Sequence, residues 1–425
     1  MDSGASFFHS SRPSSRNSHD GFADLARMMV PSDANLAGNV HGGTIMQLME
    51  EAAGVAANRY FSVHKHQRIV ALLSRVERLT FQHPIHVGDV AQATAKVVYA
   101  SPHSVAVCVQ VRAERMPWST ASGISSSRDK PKEYGDDTIC NRALLWLVGA
   151  ILPKTSHSVH QINPKQYTRA LAPPFPVPSK EQDWEAWINY QQASDLYQQS
   201  KRKCDNINEE AEDEMDKDEL ATQPQVVQET TATTQQQSSL PLQKLTPDHS
   251  AVELVQVMLP ADCVSSTGLV AGGVVMKLMD NACGVVAVRH CGTNTVTVSV
   301  NCVNLVSPVL LGDILKIRAR PVFTSAKSIE IMVKVTAERF SLDDSSGTLM
   351  RQEIVTAEQA FFTFVALPIV MSSSNNNNRS DGSVIASLPM TPLHLESPDD
   401  QALYEQRRVK YKQRKASLQR VMAKL

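Results

Sequence analysis

The segments AGNVHGGTIMQLMEEAAG (37–54) and TGLVAGGVVMKLMDNACG (267–284) are one stretch written twice. Gly38, Val40, Gly42, Gly43, Met46, Leu48, Met49, Ala52 and Gly54 recur in order, half of the window. The likeness continues downstream. HPIHVGD (83–89) matches SPVLLGD (307–313), and YASPHSVAVCVQVRAER (99–115) matches FTSAKSIEIMVKVTAER (323–339). A repeat this long makes each copy one structural unit and restricts the fold to a pair of similar units.

Each copy follows one grammar. A short loop with a glycine pair leads into an apolar helix. Four runs rich in Val, Ile and Thr follow: IVALLSRVERLTF, VAQATAKVVYA, SVAVCVQVRAER and CNRALLWLVGAI in the first copy. In the second they are TVTVSVNCVNLV, ILKIRARPVF, SIEIMVKVTAERF and EIVTAEQAFFTFVAL. Alternation with β-branched enrichment predicts strands. No helices separate the runs, which predicts an antiparallel sheet with hairpin turns at VGD and LGD. The class is α+β.

Between and around the copies the composition changes. NEEAEDEMDKDE (208–219) is acidic and TQPQVVQETTATTQQQSS (222–239) is polar and repetitive. Neither has the apolar content to order itself. SSSNNNNRSDG is a second such patch, and STASGISSSRDKPKEYGDD (119–137) reads as a loop expansion. KEQDWEAWINYQQASDLYQQSKRK (180–203) is a predicted helix that lays Trp184, Trp187, Ile188 and Tyr190 on a neighbouring domain. The basic final stretch, with Arg407, Arg408, Lys410 and Lys412, reads as a solvated helix. The organisation is therefore an N-terminal tail (1–22), a first domain (23–155), a linker (156–248), a second domain (249–369) and a C-terminal segment (370–425).

A formal net charge of −1 gives no general attraction to nucleic acid or anionic membranes. No apolar run reaches the length of a membrane span. Seven cysteines without CxxC spacing read as reduced intracellular thiols. The first twenty residues read as a tail; Asp2 and Asp20 speak against a mitochondrial transit peptide, which stays the alternative to a cytoplasmic protein. GxSxG, P-loop, HExxH and GxGxxG signatures are absent, and no metal site is expected.

Two features carry chemistry. Gly42-Gly43 and Gly272-Gly273 open the two helices. The leading N–H groups of a helix have no intrahelical partner and carry partial positive charge, and glycines let another group approach them. A donor set at a developing oxyanion is worth about 3 kcal/mol. Tight packing is the plainer use of such a pair. About two turns further in, Glu50 aligns with Asp280, each among apolar neighbours. A carboxylate held there costs free energy unless it is paired or used, and burial raises its pKa toward general-base work. The copies then differ: Asn39 aligns with Leu269, and His41 with Ala271.

With its motifs in this order, the chain resembles the hotdog fold, and more narrowly the double-hotdog acyl-CoA thioesterases of the brain cytosolic type. The residues that carry the resemblance are PSDANLAGNVHGGTIMQLMEEAAG, SRVERLTF and HSVAVCVQV in the first half. In the second they are GGVVMKLMDNACGVVAVRH, TVTVSVNCVNL and FTSAKSIEI. The resemblance implies tandem hotdog domains, each a curved antiparallel sheet around one long helix, with the two helices side by side. It implies hydrolysis of fatty acyl-CoA to fatty acid and CoA with no further cofactor. It implies that Asn39 of one domain faces Asp280 of the other, Asn39 holding the carbonyl or the water and Asp280 activating the water or attacking. His41 is a possible helper, and the reciprocal pair, Leu269 with Glu50, is a degenerate site. The resembled proteins keep HGG in both copies, whereas the second copy here reads AGG. The resemblance places Ser299, Lys327 and Ser328, with Ser74, Arg75, His103 and Ser104 in the first copy, along a CoA groove. It also implies a homotrimer of six hotdogs. A non-catalytic acyl-CoA-binding scaffold and a hotdog hydratase or dehydratase are the alternatives.

Overall fold

A computed structural model describes residues 21–35, 38–62, 67–116, 138–152, 168–213, 245–264, 267–342, 349–368 and 387–422. Residues 1–20 of the N-terminal tail, the 119–137 expansion, the glutamine-rich run and the asparagine patch lie outside the described residues, and β1 takes in Phe22, the last residue assigned to the tail.

The first half runs β1 (Phe22–Met28), α1 (Gly42–Phe61), β2 (Ile69–Phe81), β3 (Val90–Ala100), β4 (Ser104–Glu114), β5 (Ile139–Ile151), the short β6 (Thr168–Arg169) and α2 (Trp184–Asp213). The second runs α3 (Pro247–Ser250), β7 (Val252–Val257), α4 (Gly272–Cys291), β8 (Asn294–Asn304), β9 (Ile314–Thr324), β10 (Ser328–Leu342), β11 (Leu349–Leu367) and α5 (Pro398–Met422). The eight predicted strands and both apolar helices form.

All strands join one sheet in the order β1-β3-β4-β5-β2-β8-β11-β10-β9-β7, with β6 on β5. The halves meet at an antiparallel β2–β8 seam, with Arg75 opposite Asn304 and Thr80 opposite Ser299. α1 and α4 lie together on the core face. Ile45, Met46, Leu48, Met49, Ala52, Ala53, Ala56 and Ala57 of α1 are buried there. The glycine pairs set how close the two helices come. A Cβ on Gly43 would stand 2.9 Å from Lys277 Cα, and one on Gly273 would stand 2.9 Å from Gln47 Cα. Each helix therefore begins against the backbone of the other.

The strand order corrects one expectation. Gly88 (φ 91°) and Gly312 (φ 85°) do turn the chain at VGD and LGD. These turns close no hairpins, because β2 pairs with β5 and β8 while β3 pairs with β1 and β4. The inner edge of β2 is needed for the seam, so the chain crosses to the far side of the sheet. The aspartate after each glycine ties the crossing down: Asp89 Oδ2 accepts from His86 N (2.9 Å), and Asp313 Oδ2 from Leu310 N (2.8 Å). A second correction concerns the loops ahead of the helices, which contain edge strands β1 and β7. Their outer faces carry exposed Phe22 and Met28, and Val255 and Val257, so apolar residues occur on both faces and hide the alternation.

The duplication extends further than the aligned segments. After β5, Ala170 N donates to Gly149 O and Ala172 N to Pro102 O. After β11, Leu388 N donates to Ala366 O and Met390 N to Ala326 O, the same strap in the other half. Each strap feeds a capped helix: Asp183 Oδ1 accepts from Ala186 N (2.8 Å), and Ser397 Oγ from Asp400 N (3.0 Å). Seven residues after each cap comes a tyrosine, and seven later another: Tyr190 and Tyr197, Tyr404 and Tyr411. The first pair packs on Tyr99 at 5.5 and 5.8 Å, the second on Phe323 at 5.0 and 5.3 Å.

This packing revises both helix readings. In α2 the docked stripe is Tyr190, Ala193 and Tyr197, while Trp184 and Ile188 are exposed. Trp184 stacks on Trp187 with Lys180 over both rings. The helix also runs to Asp213, into the acidic run read as unstructured, which is rich in helix-favouring Glu. α5 is not a free solvated helix. Arg407 is buried, pairs with Glu330, and stacks 3.6 Å from the Phe361 ring centroid. Arg408 is paired with Glu405 on the exposed face.

Candidate active site

α1 and α4 start against each other, so the mouth of each lies beside the carboxylate of its partner. His41, extended at φ −63° and ψ 137°, caps α1. Its backbone is fixed on both sides: its N–H donates to Asp33 O at 2.7 Å, and its C=O accepts from Thr44 N and Ile45 N. Asp280 comes from α4 and is fully buried. Its Oδ2 lies 2.7 Å from Gly43 N and 3.0 Å from His41 Nδ1. Gly43 N is also 3.1 Å from that Nδ1. Its Oδ1 accepts from Thr297 Oγ1 at 2.8 Å. Asp280 is thus held by a helix amide, a hydroxyl and an imidazole.

Asn39 stands two residues before His41, in the loop that bridges His86. Its N–H donates to Asn35 Oδ1 at 3.2 Å, and it is half-buried. The Gly43 N–H is committed to Asp280, which leaves Gly42 at the helix opening beside Asp280, Thr297 and Phe81.

The reciprocal mouth is built otherwise. Glu50 of α1 is buried and receives backbone hydrogen bonds from Gly273 and Gly272. Burial, then the charge of exposed Glu51, push its pKa up to about 7 against those amides. Ala271 stands where His41 stands and offers no side-chain cap. Leu73 presses on Gly272 where Thr297 lies by Gly42, and Gln47 replaces half-buried Lys277. Leu269, aligned with Asn39, is buried with Val70, Ala150 and Leu310. Around the second carboxyl the helix amides remain, but His41, Thr297 and Lys277 are replaced by alanine, leucine and glutamine.

Glu50 supplies a stability prediction. A carboxyl with a raised folded pKa carries no penalty below the ordinary carboxyl range. The penalty grows as pH rises through that range and is complete above about 7. At roughly 1.4 kcal/mol per pKa unit it reaches on the order of 3 kcal/mol. Glu50→Gln is expected to match the parent near pH 4.5 and to be the more stable protein at pH 8, read from denaturant unfolding at both values. A stability gain independent of pH would contradict this.

Thr297 was missed by sequence reasoning. A signal existed: counting back without gaps from the Asp89 and Asp313 turns sets Thr297 over Leu73, a polar residue at a core-facing strand position in one copy only. The residues expected along a CoA groove lie apart from this cluster in their bonding. Ser74 Oγ donates to Trp146 O, and Arg75 pairs with Glu77 and Ser200. His103 Nδ1 meets Ala170 O, Ser104 pairs with Ser101, and Ser328 with Ser325. Ser299 is half-buried on β8, and Lys327 is exposed at the β9–β10 turn.

The thioesterase superfamily matches residues 37–117 and 267–339, one match in each half. The human cytosolic acyl coenzyme A thioester hydrolase is 33% identical over 393 residues, 92% of this chain and 83% of that protein. The chain belongs to this family. The mouse protein of the same name is 32% identical over 93% of this chain and 84% of its own length. Among solved structures, a putative oleoyl thioesterase from Lactobacillus plantarum has a TM-score of 0.43 at 9% identity, covering 82% of this chain and 97% of that one. The acyl-CoA hydrolase of Bacillus cereus has a TM-score of 0.32 at 24% identity, covering 43% and 99%. The family's tandem thioesterase domains coincide with the two α1- and α4-centred halves. Among the described residues, no helix is long and apolar enough to cross a membrane.

Proposed function

We propose that the chain hydrolyses fatty acyl-CoA to fatty acid and CoA at one composite site, with Asn39 from the first domain and Asp280 from the second. The observation that carries this is the inequality of two aligned carboxyls. Asp280 has a hydroxyl and an amide as donors and an imidazole nitrogen 3.0 Å away, whereas Glu50 has backbone amides and a pKa pushed up to about 7. A base must be ionised and next to a polar space that water can enter. The Asn39 loop gives the first mouth a half-buried amide; buried Leu269 and Leu73 fill the second.

In this reading the thioester carbonyl lies against the Asn39 amide and the α1 N-terminus at Gly42. Asp280 takes the proton from a water that adds to the carbonyl carbon, and CoA leaves as the thiolate. The same carboxylate could attack directly; oxygen from labelled water retained in Asp280 after one turnover separates the two routes. The relatives' names also support a cytosolic reaction and CoA as the leaving thiol. The test is release of free thiol from a long-chain acyl-CoA by the purified chain. Saturable acyl-CoA binding without thiol release would favour the scaffold reading instead.

The assembly proposed is a homotrimer. The sheet ends in two edge strands whose flanks expose Met28 and Val30 at one end and Val257 and Leu259 at the other. The two edges belong to different halves of the repeat, so an edge-to-edge contact joins the first half of one chain to the second half of the next, a head-to-tail arrangement that three chains close into a ring in this proposal. Light scattering on the eluted protein is expected to give three times the chain mass. A monomer at micromolar concentration would exclude it.

A further inference from the structure

We propose that His41 is a positioning residue that orients the Asp280 carboxyl group by donating from Nδ1. The proposal deepens the reading above and rests on Asp280 being the working carboxylate. Nδ1 and Oδ2 are 3.0 Å apart. Two bare acceptors at that distance repel; in the arrangement proposed, a proton carried on Nδ1 and donated to Oδ2 makes the contact a hydrogen bond. The Gly43 amide, 2.7 Å from Oδ2 and 3.1 Å from Nδ1, then donates to the carboxylate. The ring has little freedom to leave, because the His41 backbone is pinned by Asp33 O on one side and by the first turn of α1 on the other.

The charged groups facing the ring come from α4: Asp280 and Lys277. Burial opposes the charged ring, and Lys277 does too, but the hydrogen bond and charge of Asp280 outweigh them and raise the His41 pKa. Cys283 adjoins Asp280 on the same helix and is buried as the neutral thiol. The molecule contains its own comparison. Glu50 sits at the equivalent place, receives helix amides, faces Ala271 instead of a histidine, and holds its proton up to about 7. Both carboxyls receive helix amides; the first mouth adds the imidazole and the Thr297 hydroxyl.

Three variants separate positioning from capping. Asparagine can place an amide nitrogen near the site of Nδ1, and serine restores a helix cap without that reach. His41→Ala is expected to lower kcat by about 10- to 100-fold, the size of one lost hydrogen bond to a charged group, with KM nearly unchanged. The acid limb of its kcat/KM profile is expected to move toward neutral pH by about one unit. His41→Asn is expected to recover most of the rate and return the limb. His41→Ser is expected to recover thermal stability only. An unmoved limb in His41→Ala, or full recovery of rate by His41→Ser, would overturn the proposal. The Asp280→Asn variant tests the underlying reading separately: if it keeps full activity, that reading fails whatever His41 does. If Asp280→Asn is slow and His41→Ala slows it further by its full factor, only the coupling proposed here fails.

Discussion

Asp280→Asn is expected to lower kcat/KM for a long-chain acyl-CoA by about 10²- to 10⁴-fold, the range for a lost general base. Glu50→Gln, the same chemical change at the aligned position, is expected to change it by less than about 3-fold. The comparison is fair because both amides fit. In Asp280→Asn the carbonyl oxygen can take the place of Oδ2 and receive Gly43 N–H and His41 Nδ1, while the NH₂ group faces Thr297, whose hydroxyl can turn and accept. In Glu50→Gln the oxygen still receives the Gly272 and Gly273 amides. Folding is thus preserved and the readout is chemistry. Thr297→Val, which removes one donor and leaves the carboxylate, is expected to fall between them, at about 10-fold or more. Equal loss at positions 50 and 280 would mean two working sites and would defeat the single-site reading. Full activity of Asp280→Asn would remove the carboxylate from the mechanism altogether.

The duplication made the fold legible. Two copies of one helix-and-strands unit, with apolar positions at matching places, limit the architecture to paired α+β halves. Aligning the copies also exposed Asp280 and Glu50, because an acid kept at one place among changing neighbours needs a use. Other features were not legible, for three physical reasons. Thr297 is an ordinary strand former, and only its core-facing place in β8 brings its hydroxyl to Asp280. The edge strands β1 and β7 have apolar residues on their outer faces, so no alternation announces them. The VGD turn has the composition of a hairpin, but the pairing of β2 with β8 depends on contacts more than two hundred residues apart in sequence. The extent of the repeat was hidden because α2 and α5 share little beyond their caps and two tyrosines seven residues apart.

That hidden part of the repeat gives the largest stability effect. Arg407→Ala is expected to destabilise the docked α5 by about 3–5 kcal/mol, the usual cost of removing one partner of a buried ion pair. Arg407 donates from Nε and Nη2 to the two oxygens of Glu330, each at 2.8 Å, and both side chains are almost fully buried. Arg414 reaches the same carboxylate at 2.9 Å from a more exposed position, too little to replace the fork. The first half shows that the pair is not required by the architecture. There Ala106 stands in place of Glu330 and Ala193 in place of Arg407, both buried, with Trp146 filling the space where the second half has Thr363. Adding Glu330→Ala to Arg407→Ala is therefore expected to recover part of the loss, because the remaining penalty is a cavity and no longer a buried unpaired charge. Amide exchange along α5 and denaturant unfolding of the four proteins of the cycle give the coupling. If the two single changes simply add, the ion pair is not what docks the helix, and the stacking of Tyr404 and Tyr411 on Phe323 would have to carry it.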